Sequence, residues 1–425
     1  MNVRYLAARI IDQVLKGHSL PEALTAENAA LNPRDRAFLQ ALTYGVCRFY
    51  FQLDTIAKHL MTKPLKKKDQ VIEALILVGL YQLMAMRVPP HAVLKETVAA
   101  SASFKKIWAK SLVNAVLRQF LRQKETILTQ IEQDPIGYYA HPAWMIEMVQ
   151  AAYPTDWKNI LQGNNALPPL SLRVNQRKVS RENYLKKVEG DIIQETKQGI
   201  VLKTPLDVND LPGFLAGEVS VQDGAAQCAS ELLQLEPHQT VLDACAAPGG
   251  KATHILEIEP SVHLTAIDIN PTRLQAIEEN LKRLGLHATL FAADVLATHA
   301  WWNGELFDRI LLDVPCSASG IIRRHPDIKL LRRQTDIATL AMEQARLLKG
   351  MWSLLKPGGL LLYVTCSIFP AENAQVVSAF LQTEKTASED TILESLGVRC
   401  EVGRQILPGS INLDGFYFAR LKKRM

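Results

Sequence analysis

The chain is poor in several things that would settle its class at once. Six cysteines (47, 228, 245, 316, 366 and 400) in 425 residues are too few for a disulfide framework, and none form a CxxC pair. That spacing also denies zinc its usual paired ligands, so no metal is expected. Long apolar runs are missing too: Ala74–Tyr81 stops at Gln82, far short of a membrane span, and Arg4 and Arg9 interrupt the N-terminus where a leader would lie. Free thiols and no membrane segment point to a reducing cytoplasm. No GxGxxG fingerprint is present, which disfavours a nicotinamide cofactor. Aromatic residues are sparse at 7%, but apolar residues reach 48% and charged ones 21%, as in a folded globular protein of two or three domains.

Charge is present but unevenly placed. Residues 1–140 hold 19 Lys/Arg against 11 Asp/Glu, or +8, which leaves −3 for the rest of a chain with net charge +5. Lys63, Lys66, Lys67 and Lys68 are followed by Lys105, Lys106, Lys110, Arg118, Arg122 and Lys124. A solvated helical surface and a polyanion-binding face account for this equally well.

Residues 1–140 read as helices. Leu6, Ile10, Ile11, Val14 and Leu15 follow a 3.6 period, and Asn32–Pro33 is a capped start with proline at the first helical position. "VIEALILVGLYQLMAM" is apolar almost all round and is expected at the centre of a bundle. Residues 141–235 form a small α+β segment, with a strand near "LSLRV" and a hairpin over "IIQETKQGIVLKT" turning near Gln198–Gly199.

From Thr240 strands and helices alternate. "TVLDACAA", "HLTAIDIN", "ATLFAADV", "FDRILLDV" and "GGLLLYVT" are strands, with helices at "GKATHILEI", "PTRLQAIEENLKRLG" and before the last strand. Such a series implies a parallel sheet covered on both faces. "GFYFARLKK" is expected as a short antiparallel closing strand.

Ligands in such sheets bind at the carboxyl ends of the strands. The turn Cys245, Ala246, Ala247, Pro248, Gly249, Gly250, Lys251 follows the first strand, and its glycines allow backbone N–H groups to approach a ligand at a helix N-terminus. Asp268, Asp294 and Asp313 close the next three strands. One such aspartate is a common cap; this succession points to a nucleoside cofactor held by its ribose without a phosphate loop, hence S-adenosylmethionine. Cys316 and Cys366 end two apolar strands fifty residues apart. Singly each would be a small buried hydrophobe; in a cofactor fold, beside Pro315 and Thr365, they read as chemistry.

"DACAAPGGKATH", "AIDIN", "ADV", "LLDVPCSASGIIRRHPDIK" and "YVTCSIFPAEN" resemble, in order and interval, the motifs of RNA cytosine-5 methyltransferases. The resemblance is nearest to the bacterial small-subunit ribosomal RNA methyltransferase B family, whose N-terminal domain is NusB-like, and it covers nearly the whole chain. It implies a Rossmann-like class I methyltransferase domain (236–425) after an all-α NusB-like RNA-binding domain (1–140) and a small α+β RNA-recognition segment (141–235). It also implies methyl transfer from S-adenosylmethionine to carbon 5 of a cytosine in 16S rRNA before full subunit assembly. By the same resemblance Cys366 is the nucleophile, Cys316 assists product release and Asp313 meets ring N3. Cys245–Lys251 would hold the cofactor, with Asp268 on the ribose, Asp294 near the adenine and Asp313 bordering it. Residue chemistry alone leaves the two thiols interchangeable; the family pattern ranks them. Arg323, Arg324 and His325 are expected to face RNA. Two alternatives stand beside this reading: a tRNA cytosine-5 methyltransferase, and a non-catalytic RNA-binding assembly factor.

Overall fold

A computed structural model describes residues 2–28, 31–392, 395–409 and 412–425. It divides the chain into two compact units, one of residues 1–167 with 322–334, the other of 168–321 with 335–425.

The first unit is helical. Asn2 caps the helix Val3–Leu15 by accepting the Arg4 N–H, and Asn32 caps Pro33–Arg48 by accepting the Asp35 N–H, with Pro33 opening the helix. The expected central helix is Gln70–Ala85, in which every residue from Ala74 to Leu80 is buried. Around it lie Val3–Leu15, Pro33–Arg48, Pro90–Ser103 and Ala109–Ile131. This helical unit continues through Ala143–Ala152 and Trp157–Asn165. It also takes in residues 322–334, which follow the Cys316 loop in sequence. There Lys329 is buried, and its Nζ donates to Arg48 O at 2.5 Å, Ala140 O at 2.8 Å and Asn165 Oδ1 at 2.8 Å. Asp327 accepts the Leu20 N–H at 2.9 Å, and Arg48 donates to Arg323 O at 2.9 Å.

The second unit opens with a four-stranded antiparallel sheet: β1 (Ser171–Val174), β2 (Gly190–Ile192), β3 (Gly199–Leu202) and β4 (Val219–Val221), in the order β2-β3-β1-β4. The hairpin turn lies before Gly199, where β3 already begins, rather than on it. Thr196 Oγ1 fixes the turn by accepting the Gly199 N–H.

The large sheet holds β5 (Thr240–Asp243), β6 (His263–Asp268), β7 (Thr289–Ala292), β8 (Phe307–Asp313), β9 (Leu355–Thr365), β10 (Ala387–Glu389), β11 (Val398–Arg399), β12 (Arg404–Ile406) and β13 (Phe416–Lys423). Its order is β11-β12-β13-β9-β8-β5-β6-β7, with β10 on β13. Strands β5 to β9 pair in parallel, so the alternating pattern read from Thr240 onward is the sheet that forms. β13 is antiparallel, as expected, but it is an interior strand between β9 and β12 and does not close the sheet. Its run Phe416–Leu421 is buried throughout, which an edge position would not require. Strand order reverses between β5 and β8, and a crevice opens there at the carboxyl ends of both.

Candidate functional site

A cleft of ≈ 290 Å³ occupies this crevice. Ala244, Cys245 and Ala247 reach its wall from the turn after β5, and Asp268 and Ile269 from the end of β6. Asp294 and Val295 follow β7, Asp313 ends β8, and Pro315 and Cys316 follow it. Cys366 follows β9. Every strand-end aspartate and both thiols singled out in the sequence thus meet around one opening. The turn Cys245–Lys251 divides: Cys245 and Ala247 face the cleft, while Ala246 and Gly249 pack inward. Gly249 sits at φ +92, the left-handed region that a side chain disfavours, and starts the helix Gly250–Ile258.

The wall fits a nucleoside. Asp268 Oδ2 accepts the Ala247 N–H at 3.1 Å and its Oδ1 the Asn270 N–H at 3.0 Å, so backbone donors hold both oxygens in place beside the cleft. Asp294 is braced likewise, accepting the Leu296 N–H at 2.9 Å. Ile269, Val295 and Leu347 supply apolar surface for a ring between these acceptors. Arg273, Glu343 and Leu347 also line the cleft and were not found from sequence. Arg273 donates to Ala247 O at 2.9 Å and braces the turn from outside. Its signal, a basic residue one turn into the helix after Asp268, is too common to single out.

Lys251 turns to Asp313, with Nζ 2.7 Å from Oδ2. Burial opposes the ammonium, but Asp313, with Cys366 and Asp243 behind it, holds Lys251 above its usual value. Asp243, fully buried at the end of β5, is pushed up to about 7 by burial and then by Asp313.

The two sulfurs stand 3.4 Å apart. Cys316 is the more enclosed. The hydrogen bond to Cys366 raises its thiol well above the ordinary range, and burial and the Cys366 and Glu372 charges add to this. Cys316 is therefore the thiol held protonated. Beneath the pair, Ser317, Ser319, Ser367 and Glu372 form a buried hydrogen-bonded cluster.

Of the basic residues after the Cys316 loop, Arg323 is buried at 4% exposure, not presented to solvent, while Arg324 and His325 are half-buried. The turn that carries them is packed as part of the helical unit, and their charge pattern in sequence carries no sign of this.

Residues 230–422 match the family described as 16S rRNA methyltransferase RsmB/F. Residues 1–122 match the NusB family, and 141–209 the ferredoxin-like domain of RsmF/B-like methyltransferases. The ribosomal RNA small subunit methyltransferase B of Pseudomonas syringae pv. tomato is 46% identical over 435 residues, covering 100% of this chain and 97% of that protein. Its namesake from Vibrio cholerae is 47% identical over 430 residues, covering 100% and 98%. Among solved structures, a methyltransferase homolog from Pyrococcus horikoshii aligns with TM-score 0.61 at 26% identity, over 68% of this chain and 98% of that one. With such similarity along its whole length, the chain belongs to the RsmB/F family of methyltransferases, a Rossmann-like catalytic domain preceded by an all-α NusB domain.

Proposed function

We propose that this methyltransferase acts on carbon 5 of a cytosine in 16S rRNA, through a covalent bond between Cys366 and carbon 6 of the base. The rRNA substrate follows from relatives named as small-subunit rRNA methyltransferases. The observation that carries the chemistry is the unequal thiol pair at the mouth of the cofactor cleft.

S-adenosylmethionine supplies the methyl group when bound, against Cys245, Ala247, Asp268 and Asp294. Carbon 5 of cytosine is a weak nucleophile. Addition of the Cys366 thiolate to carbon 6 makes carbon 5 enamine-like and able to take the methyl group. Only the thiolate adds, and a free cysteine is only a few per cent ionised at pH 7. Lys251 places a persistent cation near Cys366, and in this reading Cys316, 3.4 Å away, is the hydrogen-bond donor of the pair. Asp313, anchored by Lys251, is the group for ring N3. After methyl transfer, water takes the carbon-5 proton, the electron pair of that C–H bond closes the C5=C6 double bond, and the C6–S bond breaks with its pair on Cys366. The proton held on Cys316 is the one available to the departing thiolate, which is how Cys316 assists release.

The exposed cations Lys63, Lys66, Lys67 and Lys68 of the helical unit are assigned to RNA phosphates, and the small sheet of β1–β4 to recognition of the substrate. The substrate is rRNA before full subunit assembly, since a base must leave its stack to reach the cleft.

Site-directed variants test the roles directly. Cys366→Ala abolishes methylation, and Cys316→Ala accumulates a protein–RNA species that survives denaturing electrophoresis. The opposite pattern means that the thiols exchange roles; methylation by both variants removes the covalent mechanism.

A further inference from the structure

Glu372 lies outside the cleft wall and is fully buried, an unusual place for a carboxylate. Four neutral donors hold it. Its Oε1 accepts the Ser317 N–H at 2.7 Å and Gln344 Nε2 at 3.2 Å. Its Oε2 accepts the Ser317 hydroxyl at 2.6 Å and the Ser367 hydroxyl at 2.5 Å. Ser317 follows Cys316 directly, and Ser367 follows Cys366. One carboxylate therefore grips the residue after each thiol.

Other bonds fix the backbone on either side of the carboxylate. Tyr363 donates to Glu372 O at 2.7 Å, and Gln344 also donates to Pro315 O at 2.9 Å, the residue before Cys316. Ser319 bridges onward, its Oγ 3.1 Å from Ser367 Oγ and accepting the Ile368 N–H at 3.0 Å. Gly320 closes the pairing by donating to Cys366 O at 2.8 Å.

We propose that Glu372 is a positioning residue for the reaction: its carboxylate binds the Cys316 loop to the Cys366 loop and sets how the two sulfurs face each other. This rests on the reading of the two thiols given above. A buried carboxylate can do this because an acceptor of this strength fixes both serine hydroxyl protons toward itself, so the cluster has one arrangement and not several. A neutral amide in the same place turns one acceptor into a donor and faces the Ser317 and Ser367 hydroxyls or the Ser317 N–H with the wrong polarity. The charge has a second effect. It disfavours a thiolate at Cys316 and so keeps the two sulfurs unequal.

The test compares full-length Glu372→Gln and Glu372→Asp with the parent chain. It measures kcat for methyl transfer to rRNA, S-adenosylmethionine affinity, and the pH dependence of Cys316 alkylation by iodoacetamide, resolved by peptide mass spectrometry. For Glu372→Gln, kcat falls roughly 100-fold, as displacement of a reacting group by about 1 Å would produce. Cofactor affinity stays within about twofold, and Cys316 alkylation begins at lower pH because the negative neighbour is gone. Glu372→Asp keeps the parent alkylation profile but not the parent kcat, since its carboxylate is too short to grip both serines. A kcat within about twofold of the parent in Glu372→Gln overturns the proposal. So does a fall in kcat matched by cofactor affinity with an unmoved alkylation profile, which marks a merely structural role. Should Glu372→Gln not fold, the double variant Ser317→Ala/Ser367→Ala carries the test, with the same loss of kcat expected and unchanged kcat overturning it. The alkylation profile needs no RNA, so it reads out the clamp even if the cytosine mechanism fails.

Discussion

Two sulfurs 3.4 Å apart cannot both carry charge in a half-enclosed site, because like charges at that distance repel by several kcal/mol in a medium less polar than water. One thiol therefore holds the proton, and the bond to Cys366, burial and the Glu372 charge all favour holding it at Cys316. Lys251 is the cation paired with Asp313 that also favours negative charge at Cys366, and its burial keeps water from fully competing for its charge. Replacing it, as in Lys251→Met, leaves Asp313 unanchored and is expected to lower kcat/KM on the order of 100-fold, read in single-turnover kinetics. In the proposed reading Asp268 serves cofactor binding and not the chemistry at the base. Asp268→Ala is expected to weaken S-adenosylmethionine roughly 10- to 100-fold by calorimetry, the loss of hydrogen bonds to a charged acceptor, without creating a protein–RNA adduct. These residues were legible because a strand-end aspartate or a thiol after an apolar run announces itself in one dimension. Gln344 and Arg273 were not, since each acts by meeting a residue distant in sequence. Glu372 falls within the quoted motif around Cys366, but its reach across to Ser317 is not visible there.

Elements bring the site together through close backbone approach. Gly320 donates to Cys366 O, and a Cβ added to it would lie 2.1 Å from Gly415 O, a backbone atom that cannot swing aside. Gly415 in turn donates to Gly320 O at 2.8 Å. The Cys316 loop thus lies against the chain just before β13, and Gly320→Ala is expected to cost about 1–3 kcal/mol by forcing the two backbones apart. Thermal unfolding checks the loss, which should come with reduced methyl transfer. The parallel strands were readable from their apolar runs and intervening helices. The interior position of β13 was not: an antiparallel strand of mixed Phe, Tyr, Arg and Lys reads as an edge until its pairing with both β9 and β12 is known. The hairpin before Gly199 was displaced by a few residues for the opposite reason, a local one, because Thr196 supplies a side-chain acceptor that ends the turn earlier.

At the scale of the molecule, the sequence order of segments is not the order of the folded units. Residues 322–334 leave the catalytic unit directly after the Cys316 loop and fold with the helical one, where Lys329 is held by three oxygens. Periodicity could not show this, since a short basic segment reads as a surface loop whichever unit receives it. Buried charge also gives the molecule a pH response. Asp243 has a folded-state value raised to about 7 above an ordinary 3.8, so the folded chain takes up a proton that the unfolded chain releases. Its contribution is intact below about pH 4 and is lost as pH rises toward 7, by up to about 1.4 kcal/mol per pH unit. Asp243→Asn should flatten that fall in a series of thermal melts from pH 5 to 8; an unchanged slope would show that the carboxyl titrates normally. The cations of the helical unit make a separate prediction. Changing Lys66, Lys67 and Lys68 to Ala together should weaken rRNA binding and reduce the steepness of its salt dependence by two to three phosphate contacts, roughly 2–3 in the log–log slope. Cofactor affinity should not move.

The central claim, that this fold and thiol pair methylate carbon 5 of an rRNA cytosine, has a direct test. The full-length protein is incubated with S-adenosylmethionine labelled in its methyl group and with 16S rRNA, either free of protein or in assembled subunits, and the RNA is digested to nucleosides. The account predicts labelled 5-methylcytidine, formed from the free rRNA and much less from the assembled subunit. Label in any other nucleoside, or none from either substrate while the cofactor binds normally, would contradict it.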